Sequence, residues 1–496
     1  MNKKLLIDVQ QRRTKVALVE NSQLVEFHVE KSDSYNIVGN IYKGRVMNVL
    51  PGMQAAFVDV GLEKNAFLYV GDMMADKSEL VGADLPQELS VKEGDVIMVQ
   101  VVKDRMGTKG ARVSHNITLP GRLLVLMPSV NYIGISKKIT DKRLRENLYD
   151  AMQKIKLKGM GFIVRTAAAK ARFKDLKAEA QLLISHWQEI LEKFEKAKVS
   201  DALHYESDLV SRTLRDLYTD DINEIVVNDG GIGDRIARLL GPRARKSIVV
   251  FPKDRDMFHD MGLTEQIDSM LDQRVKLESG AYLIINRTEA LTVIDVNTGK
   301  YVGDANLEET VFKTNLLAAK EIAKQLRLRN IGGIIVVDFI DMESDEHRRQ
   351  VLDCLEEELK KDRVKTTVVG MSGLGLVEIT RKKTRNEIAA NLLQTCPYCN
   401  GNGYVYSHDH IVSKISVAII DAFQKPQVRG ILVSCNPAIV DYVFKNRVFA
   451  EYLSMSLNRN RIYFSSDYNM HTQHFKVKEF HTNEFDLPQN SRYLAY

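Results

Sequence analysis

Two short segments put carboxylates where apolar strands end. In TVIDVNTG, Asp295 follows Thr292-Val293-Ile294; in GGIIVVDFIDM, Asp338 closes Ile334–Val337, with Asp341 just beyond. A carboxylate in such a place needs an ion-pair partner, hydrogen bonds or a metal, because burying it uncompensated is costly. Side chains alternate along a strand, so Asp295 and Asn297 share one face while Ile294 and Val296 take the other. Two or three carboxylates converging at one sheet edge form an oxygen-only donor set suited to Mg²⁺ or Mn²⁺. Such an ion stabilises charge on a phosphodiester and acidifies water, and Asn297 is placed to orient the phosphate or the attacking water. Taken singly, either Asp would more simply cap a helix or pair with an arginine. Two on neighbouring strands favour the metal.

The intervening elements must bring the two together. AYLIINRT and LTVIDVN read as strands. A helix follows from near Asn306, whose Asn-x-x-Glu pattern with Glu309 is that of a capping box. It runs through VFKTNLLAAKEIAKQLRLR and stops at Asn330 and Gly332-Gly333, before the strand IIVVDFID. This β-α-β order predicts two parallel strands whose C-terminal ends lie on one edge, where ligands of open α/β sheets bind.

A second chemical signal is TCPYCNGNGYV, where Cys396 and Cys399 form a C-P-x-C-x-G-x-G knuckle. Structural zinc takes four ligands. The other two of the four cysteines, Cys354 and Cys435, have no matching partner. The economical arrangement is one zinc shared by two chains, a dimer clamp. A redox C-x-x-C is the rival, but it normally opens a helix, and here glycines follow.

Residues 36–118 are dense in short strands (NIYKGRVMNVL, QAAFVDVG, NAFLYVG, DVIMVQVVKD, ARVSHNI), five in all, which fits a five-stranded oligonucleotide-binding barrel. Phe57 and Phe67 fall on neighbouring strands, with Lys43, Arg45, Lys103 and Lys109 in or beside the same module. Aromatic faces and cations hold single strands by stacking bases and neutralising phosphates; two core phenylalanines would give the same spacing. Further on, GFIVRT ends a strand on Arg165 and Thr166, a guanidinium fork and a hydroxyl that can hold a terminal phosphate. The segment after it predicts a long helix with an apolar stripe at Phe173, Leu176, Ala180, Ile184, Trp187, Leu191 and Phe194.

The 496 residues allow several domains at roughly 100–200 residues each. A net charge of +5 is a mild surplus, compatible with a polyanionic partner. The basic runs VVKDRMGTKGAR and TRKKTRNE lie beside predicted strands, although solvated basic loops are common. No apolar run approaches the roughly 20 residues of a membrane span, and MNKKLLIDVQQRR reads as a first strand rather than a secretory signal. Without a disulfide framework, the expected location is cytoplasmic.

Together, GNIYKGRVMNVLPGMQAAFVDVGL, VKDRMGTKGAR, GFIVRTA, VIDVNTG, AKQLRLRNIGGIIVVDFIDM, DRVKT, GLVEITRKKTR and CPYCNGNG resemble the ribonuclease E/G family, in family order from about residue 36 to 405. The resemblance implies a multidomain α/β and β protein. An RNase H-like domain (residues 1–35 and 211–270) would carry an inserted S1 barrel of the OB-fold (36–118) and a 5′-sensor domain (119–210). A DNase I-like catalytic domain (271–391), a zinc link (392–407) and a small C-terminal α/β domain for oligomerisation (408–496) would complete the chain. It further implies an endoribonuclease that cuts single-stranded RNA at A/U-rich sites in mRNA decay and rRNA processing. The ends left would be 5′-phosphate and 3′-hydroxyl, with 5′-monophosphorylated RNA preferred. Asp295 and Asp338 would hold Mg²⁺ with Asn297 at the scissile phosphate, and Phe57, Phe67, Lys103 and Lys109 would touch RNA. Arg165, Thr166 and Lys365 would sense the 5′ phosphate. Cys396 and Cys399 would share Zn²⁺ across a homodimer that pairs into a tetramer. Two positions depart from the family pattern: AAKARF follows VRTA in place of a Gly-rich turn, and Lys365 stands where ribonuclease E has an arginine, losing the bidentate fork. A non-catalytic S1-type RNA-binding protein would explain the barrel but not the paired aspartates; a metal-dependent DNA nuclease would explain the aspartates but not the barrel.

Overall fold

The structure, a computed structural model, describes residues 2–31, 37–69, 91–105, 110–157, 159–219, 221–240, 242–299, 307–449 and 461–494. The chain forms two compact units, residues 1–392 and 393–496.

Four sheets build the first unit. The N-terminal strand Lys3–Val9 sits between Arg13–Glu20, to which it is antiparallel, and Glu224–Val227, to which it is parallel, so residues distant in sequence share one five-stranded sheet. Its second hairpin turns on Asn21 and Ser22, both at positive φ (50° and 66°), the two-residue primed turn whose twist suits paired strands.

The next sheet closes on itself. Ile41–Leu50 pairs with Ala55–Asp59 on one side and with Val96–Lys103 on the other, and Ala66–Tyr69 and Arg112–Ser114 complete a five-stranded barrel. A register shift between Val46 and Asn48 lets the ten-residue strand coil around it. Gly44 allows the close approach, since a Cβ there would lie 2.5 Å from Val58 Cγ1. Val46, Ala56, Val58, Ala66, Leu68, Val99 and Val113 fill the interior, and Ala202–His204 adds a strand outside.

A four-stranded sheet of residues 119–164 packs against helices Lys142–Ile155 and Phe173–Lys196. The second helix is where the sequence predicts one, but its stripe is rotated. Leu176, Ala180, Leu183, Trp187 and Ile190 are buried, whereas Phe173 and Leu191 are 47% and 42% exposed. Apolar residues on both flanks of a wide helical face satisfy the same three-and-four spacing, and the sheet beneath selects among them.

The fourth sheet carries the aspartates. Its order is Arg274–Lys276, Tyr282–Arg287, Leu291–Asn297, Gly333–Asp338, Leu376–Arg381, Thr366–Met371, and only the central pair is parallel. The predicted β-α-β unit is therefore present, its helix described over Leu307–Leu328; Asn306, the expected cap, lies outside the described residues. That helix and Asp345–Leu359 cover one face, burying Ala318, Ile322, Leu326, Ile335, Val337, Val351 and Leu355 together. Among the described residues, no helix of this core lies on the other face. In the second unit, Gly430–Cys435 is parallel to Arg461–Ser466 in a four-stranded sheet, with helices His408–Phe423 and Pro437–Asn446 in its core.

Candidate active site

Alternation along Leu291–Asn297 buries Thr292, Ile294 and Val296 and leaves Val293, Asp295 and Asn297 on the uncovered face. Asp338 does the same on the neighbouring strand, and the register sets Asp295 directly opposite it. Adjacent strands lie about 4.8 Å apart, so both carboxylates stand side by side. Asn297 Nδ2 donates to Asp295 Oδ2 at 2.7 Å, which fixes the carboxylate and leaves one amide hydrogen and the amide oxygen of Asn297 available. Asp341 does not complete a trio: among the described residues no three His, Cys, Asp or Glu side chains converge to hold a metal. Two carboxylates still suit Mg²⁺, which keeps several waters and takes one or two protein carboxylates. They do not match the nitrogen and sulfur donors typical of zinc.

Sequence reasoning missed a residue that positions this edge. Asn315, fully buried on the Leu307–Leu328 helix, donates to the Ile340 carbonyl (2.8 Å) and accepts from the Ile340 N–H (3.2 Å). It pins the chain two residues past Asp338. A polar residue on the inner face of an amphipathic helix was the signal.

On the barrel, Phe57 faces Phe67 across the strands, ring centroids 5.6 Å apart and edge to face. Phe67 is in register with Arg112, and Arg112 with Lys103, so Phe57, Phe67, Arg112 and Lys103 make one lateral row outside the barrel core. Arg112, at the end of the basic run VVKDRMGTKGAR, is a second residue that sequence reasoning missed. Lys109 lies outside the described residues. Lys43, grouped with these cations in the sequence, does different work. Its Nζ donates to the carbonyls of Phe194 (2.7 Å) and Ala197 (2.9 Å), capping the end of the Phe173–Lys196 helix. Cations there satisfy open carbonyls and meet the negative end of the helix dipole. Lys43→Met is expected to cost about 1–2 kcal/mol in urea denaturation; a stability equal to wild type would refute the capping role.

Arg165 Nη1 donates to the Gly121 carbonyl (2.6 Å) and Nη2 to Asp216 Oδ1 (2.8 Å). Thr166, hydrogen-bonded to the Ser136 hydroxyl at 3.0 Å, opens a 3₁₀ turn over Thr166–Lys170, the form taken by AAAK in place of a Gly-rich turn. Burial would raise the Asp216 carboxyl, but the Arg215 and Arg165 guanidiniums hold it below its ordinary range. The DRVKT segment docks here too. Lys138 Nζ donates to the Asp362 carbonyl (2.7 Å), and Arg363 donates to the carbonyls of Asp216 and Leu217. Lys365 itself is exposed, three residues along from Asp362. The TRKKTR run is only partly a solvated loop: Arg381 is buried, and Arg385 reaches to 3.5 Å of Asp216.

Residues 118–384 match the sequence profile of the Ribonuclease E/G family. Ribonuclease G of Haemophilus influenzae is 41% identical over 450 residues, spanning 88% of this chain and 91% of that protein. Ribonuclease G of Escherichia coli K12 is 40% identical over 450 residues, spanning 89% and 92%. Ribonuclease E of a Nostoc species is 38% identical over 395 residues, spanning 78% of this chain and 57% of that protein. The chain belongs to the ribonuclease E/G family. The family profile includes both aspartates, Arg165, Thr166 and Lys365, and ends before the Cys396–Cys399 knuckle.

In that knuckle the backbone N–H groups of Cys399 and Tyr398 point at the Cys396 sulfur and draw its thiol below its ordinary value, which favours the thiolate a metal binds. Asn400, Gly401 and Gly403 all turn through positive φ (49°, 84° and 76°), and the next helix begins only at His408, so no helix follows the first cysteine. The turn is braced within its own unit, since His471 Nε2 donates to the Tyr398 carbonyl (2.6 Å) and the Tyr398 hydroxyl meets Thr472 Oγ1 at 2.7 Å. Cys354 lies on a helix of the first unit, and Cys435 is buried in a strand of the second.

Proposed function

We propose that this ribonuclease E/G family member is a metal-dependent endoribonuclease that hydrolyses single-stranded RNA to 5′-phosphate and 3′-hydroxyl ends, preferring 5′-monophosphorylated substrates. The observation that carries this is the Asp295–Asp338 pair, in register on the uncovered face of the sheet, in a chain about 40% identical to proteins named ribonuclease G. Asp295 and Asp338 would hold Mg²⁺, which when bound supplies Lewis-acid stabilisation of the charge developing on the phosphodiester. Asn297, steadied by Asp295, offers its free amide hydrogen to the scissile phosphate and its oxygen to the attacking water. Phe57 and Phe67 stack bases of the incoming strand, and Arg112, Lys103 and Lys109 neutralise its phosphates. Arg165, Thr166 and Lys365 receive a 5′-terminal phosphate, each Arg165 Nη keeping one N–H beyond its bond to Gly121 or Asp216.

In this reading residues 271–391 are the DNase I-like catalytic domain, 36–118 the S1 domain, 119–210 the 5′ sensor, and 1–35 with 211–270 an RNase H-like domain. The enzyme acts in the cytoplasm on A/U-rich sites in mRNA decay and rRNA processing. A 5′-labelled, A/U-rich single-stranded RNA, carrying either 5′-monophosphate or 5′-hydroxyl, tests the reading with Mg²⁺ or EDTA present. Internal cleavage is expected only with Mg²⁺, and faster on the monophosphate. Cleavage in EDTA would remove the metal mechanism; binding without any cleavage would leave an S1-type RNA-binding protein.

Cys396 and Cys399 supply two of the four thiolates of a Zn²⁺ shared between protomers, and the C-terminal unit pairs dimers into tetramers. Cys396→Ser is expected to reduce zinc content to below a tenth of wild type and to shift the species seen by light scattering toward monomer. Full zinc content in that variant would contradict the shared site.

A further inference from the structure

The uncovered face beside Asp295 holds a built feature that the proposed reaction has not used. Arg274 lies opposite Ile284, and Ile284 opposite Asp295, so one lateral row runs Arg274–Ile284–Asp295–Asp338. One step along the strands, Tyr282 lies opposite Asn297. Buried Val275, Leu283, Val296 and Val337 alternate with these residues, so all of them project from the same uncovered face.

Arg274 and Tyr282 are diagonal neighbours across the hairpin, and they touch. The guanidinium carbon stands 3.7 Å from the centre of the Tyr282 ring, a stacked cation–π contact. The ring is held from behind. At Gly299, φ +60°, an added Cβ would come within 2.6 Å of the Gly280 carbonyl and 3.3 Å of the Tyr282 ring. Two glycine turns thus close on the ring immediately after Asn297. Arg274, in contrast, is exposed, and no described carboxylate forms an ion pair with it. Its plane is oriented by an aromatic ring, while its outer face and charge stay available.

We propose that Arg274, backed by Tyr282, is a stacking platform for the nucleobase adjacent to the phosphate bound at Asp295 and Asp338. Two strand spacings, about 10 Å, separate Arg274 from Asp295, a span that one nucleotide covers from phosphate to base. Guanidinium planes and aromatic rings stack any base, because every base has a π face. The platform holds the substrate's register over the carboxylates without reading sequence. This subsite rests on the endoribonuclease reading above, and its test separates the two.

RNAs that are intact, or abasic at the nucleotide immediately 5′ or 3′ of the cleaved bond, are compared on wild type, Arg274→Ala, Arg274→Lys and Tyr282→Ser. Cleavage is followed in Mg²⁺, and binding of the same RNAs in EDTA. Wild type is expected to lose about tenfold in kcat/KM and in affinity when one of the two flanking bases is missing. Arg274→Ala should show that loss on intact RNA and lose nothing further on the abasic RNA. Lysine keeps the charge but not the plane, so Arg274→Lys should behave like Ala. Losses that multiply, or full rescue by lysine, overturn the platform. Should Asp338→Asn cleave like wild type, the catalytic reading falls, while the binding comparison in EDTA still decides the platform. Arg274 is exposed, so its variants give an answer even if Tyr282→Ser does not fold.

Discussion

Asp338→Asn is expected to lower the rate of RNA cleavage by about 10³-fold, close to 4 kcal/mol of transition-state stabilisation, while RNA affinity in EDTA stays within about twofold. The side chain is exposed at the end of Gly333–Asp338, on a face where the described residues pack no helix, so removing its charge disturbs no core. What the substitution removes is one of only two carboxylates that the register brings together. Asp295→Asn should match it in size, and it also places two amides where Asn297 donated to a carboxylate, loosening the residue meant for the phosphate. Asp341→Asn should fall by less than tenfold, because no three-carboxylate group forms there. Single-turnover cleavage with the three variants gives the ranking. Equal effects from all three would replace the paired site with a diffuse acidic surface, and an unimpaired Asp338→Asn would end the metal proposal.

The paired carboxylates were legible because strand periodicity and the β-α-β rule are both local and together leave little freedom. The five-stranded barrel was readable for the same reason, since alternation and turn residues carry it. What escaped the reading depends on tertiary partners. Nothing near Lys43 in sequence says that its amine meets the carbonyls of Phe194 and Ala197. Nothing near Asp216 in sequence says that Arg165 and Arg385 join the adjacent Arg215 around it. The inner and outer flanks of the Phe173–Lys196 stripe differ only in which one meets the sheet. Cations were the least legible residues: a basic run is one pattern in sequence, yet in the fold it separates into a helix cap, buried ion pairs and side chains facing solvent. Arg381 and Arg385 show this within five residues, both committed inside a run that reads as a loop for phosphates.

Asp362→Ala is expected to destabilise the first unit by about 3–5 kcal/mol, the cost of stranding a buried guanidinium. Asp362 and Arg381 are 5% and 3% exposed, and Arg381 Nε donates to Asp362 Oδ2 at 2.7 Å. Arg381 Nη1 also donates to the Ile331 carbonyl at 2.8 Å, and Asp362 Oδ1 accepts from the Val364 N–H at 2.9 Å. The pair therefore ties three stretches: the end of the long helix, the strand beside Asp338 and the DRVKT segment. Alanine leaves Arg381 charged where water cannot reach it. Replacing both residues, Asp362→Leu with Arg381→Met, should recover most of the loss, since a buried ion pair is worth little more than apolar packing of similar volume. The double variant also separates stability from sensing. Arg363 donates to the carbonyls of Asp216 and Leu217 beside Arg165, so in the proposed 5′ sensor the path of DRVKT sets where Lys365 would meet a 5′ phosphate. The refolded double variant should cleave 5′-hydroxyl RNA like wild type yet show a smaller acceleration by 5′-monophosphate. Urea denaturation of the single variants, and cleavage of both RNAs by the double, read the two effects separately. A double variant as unstable as Asp362→Ala would mean that the pair itself, and not the stranded charge, carries the stability.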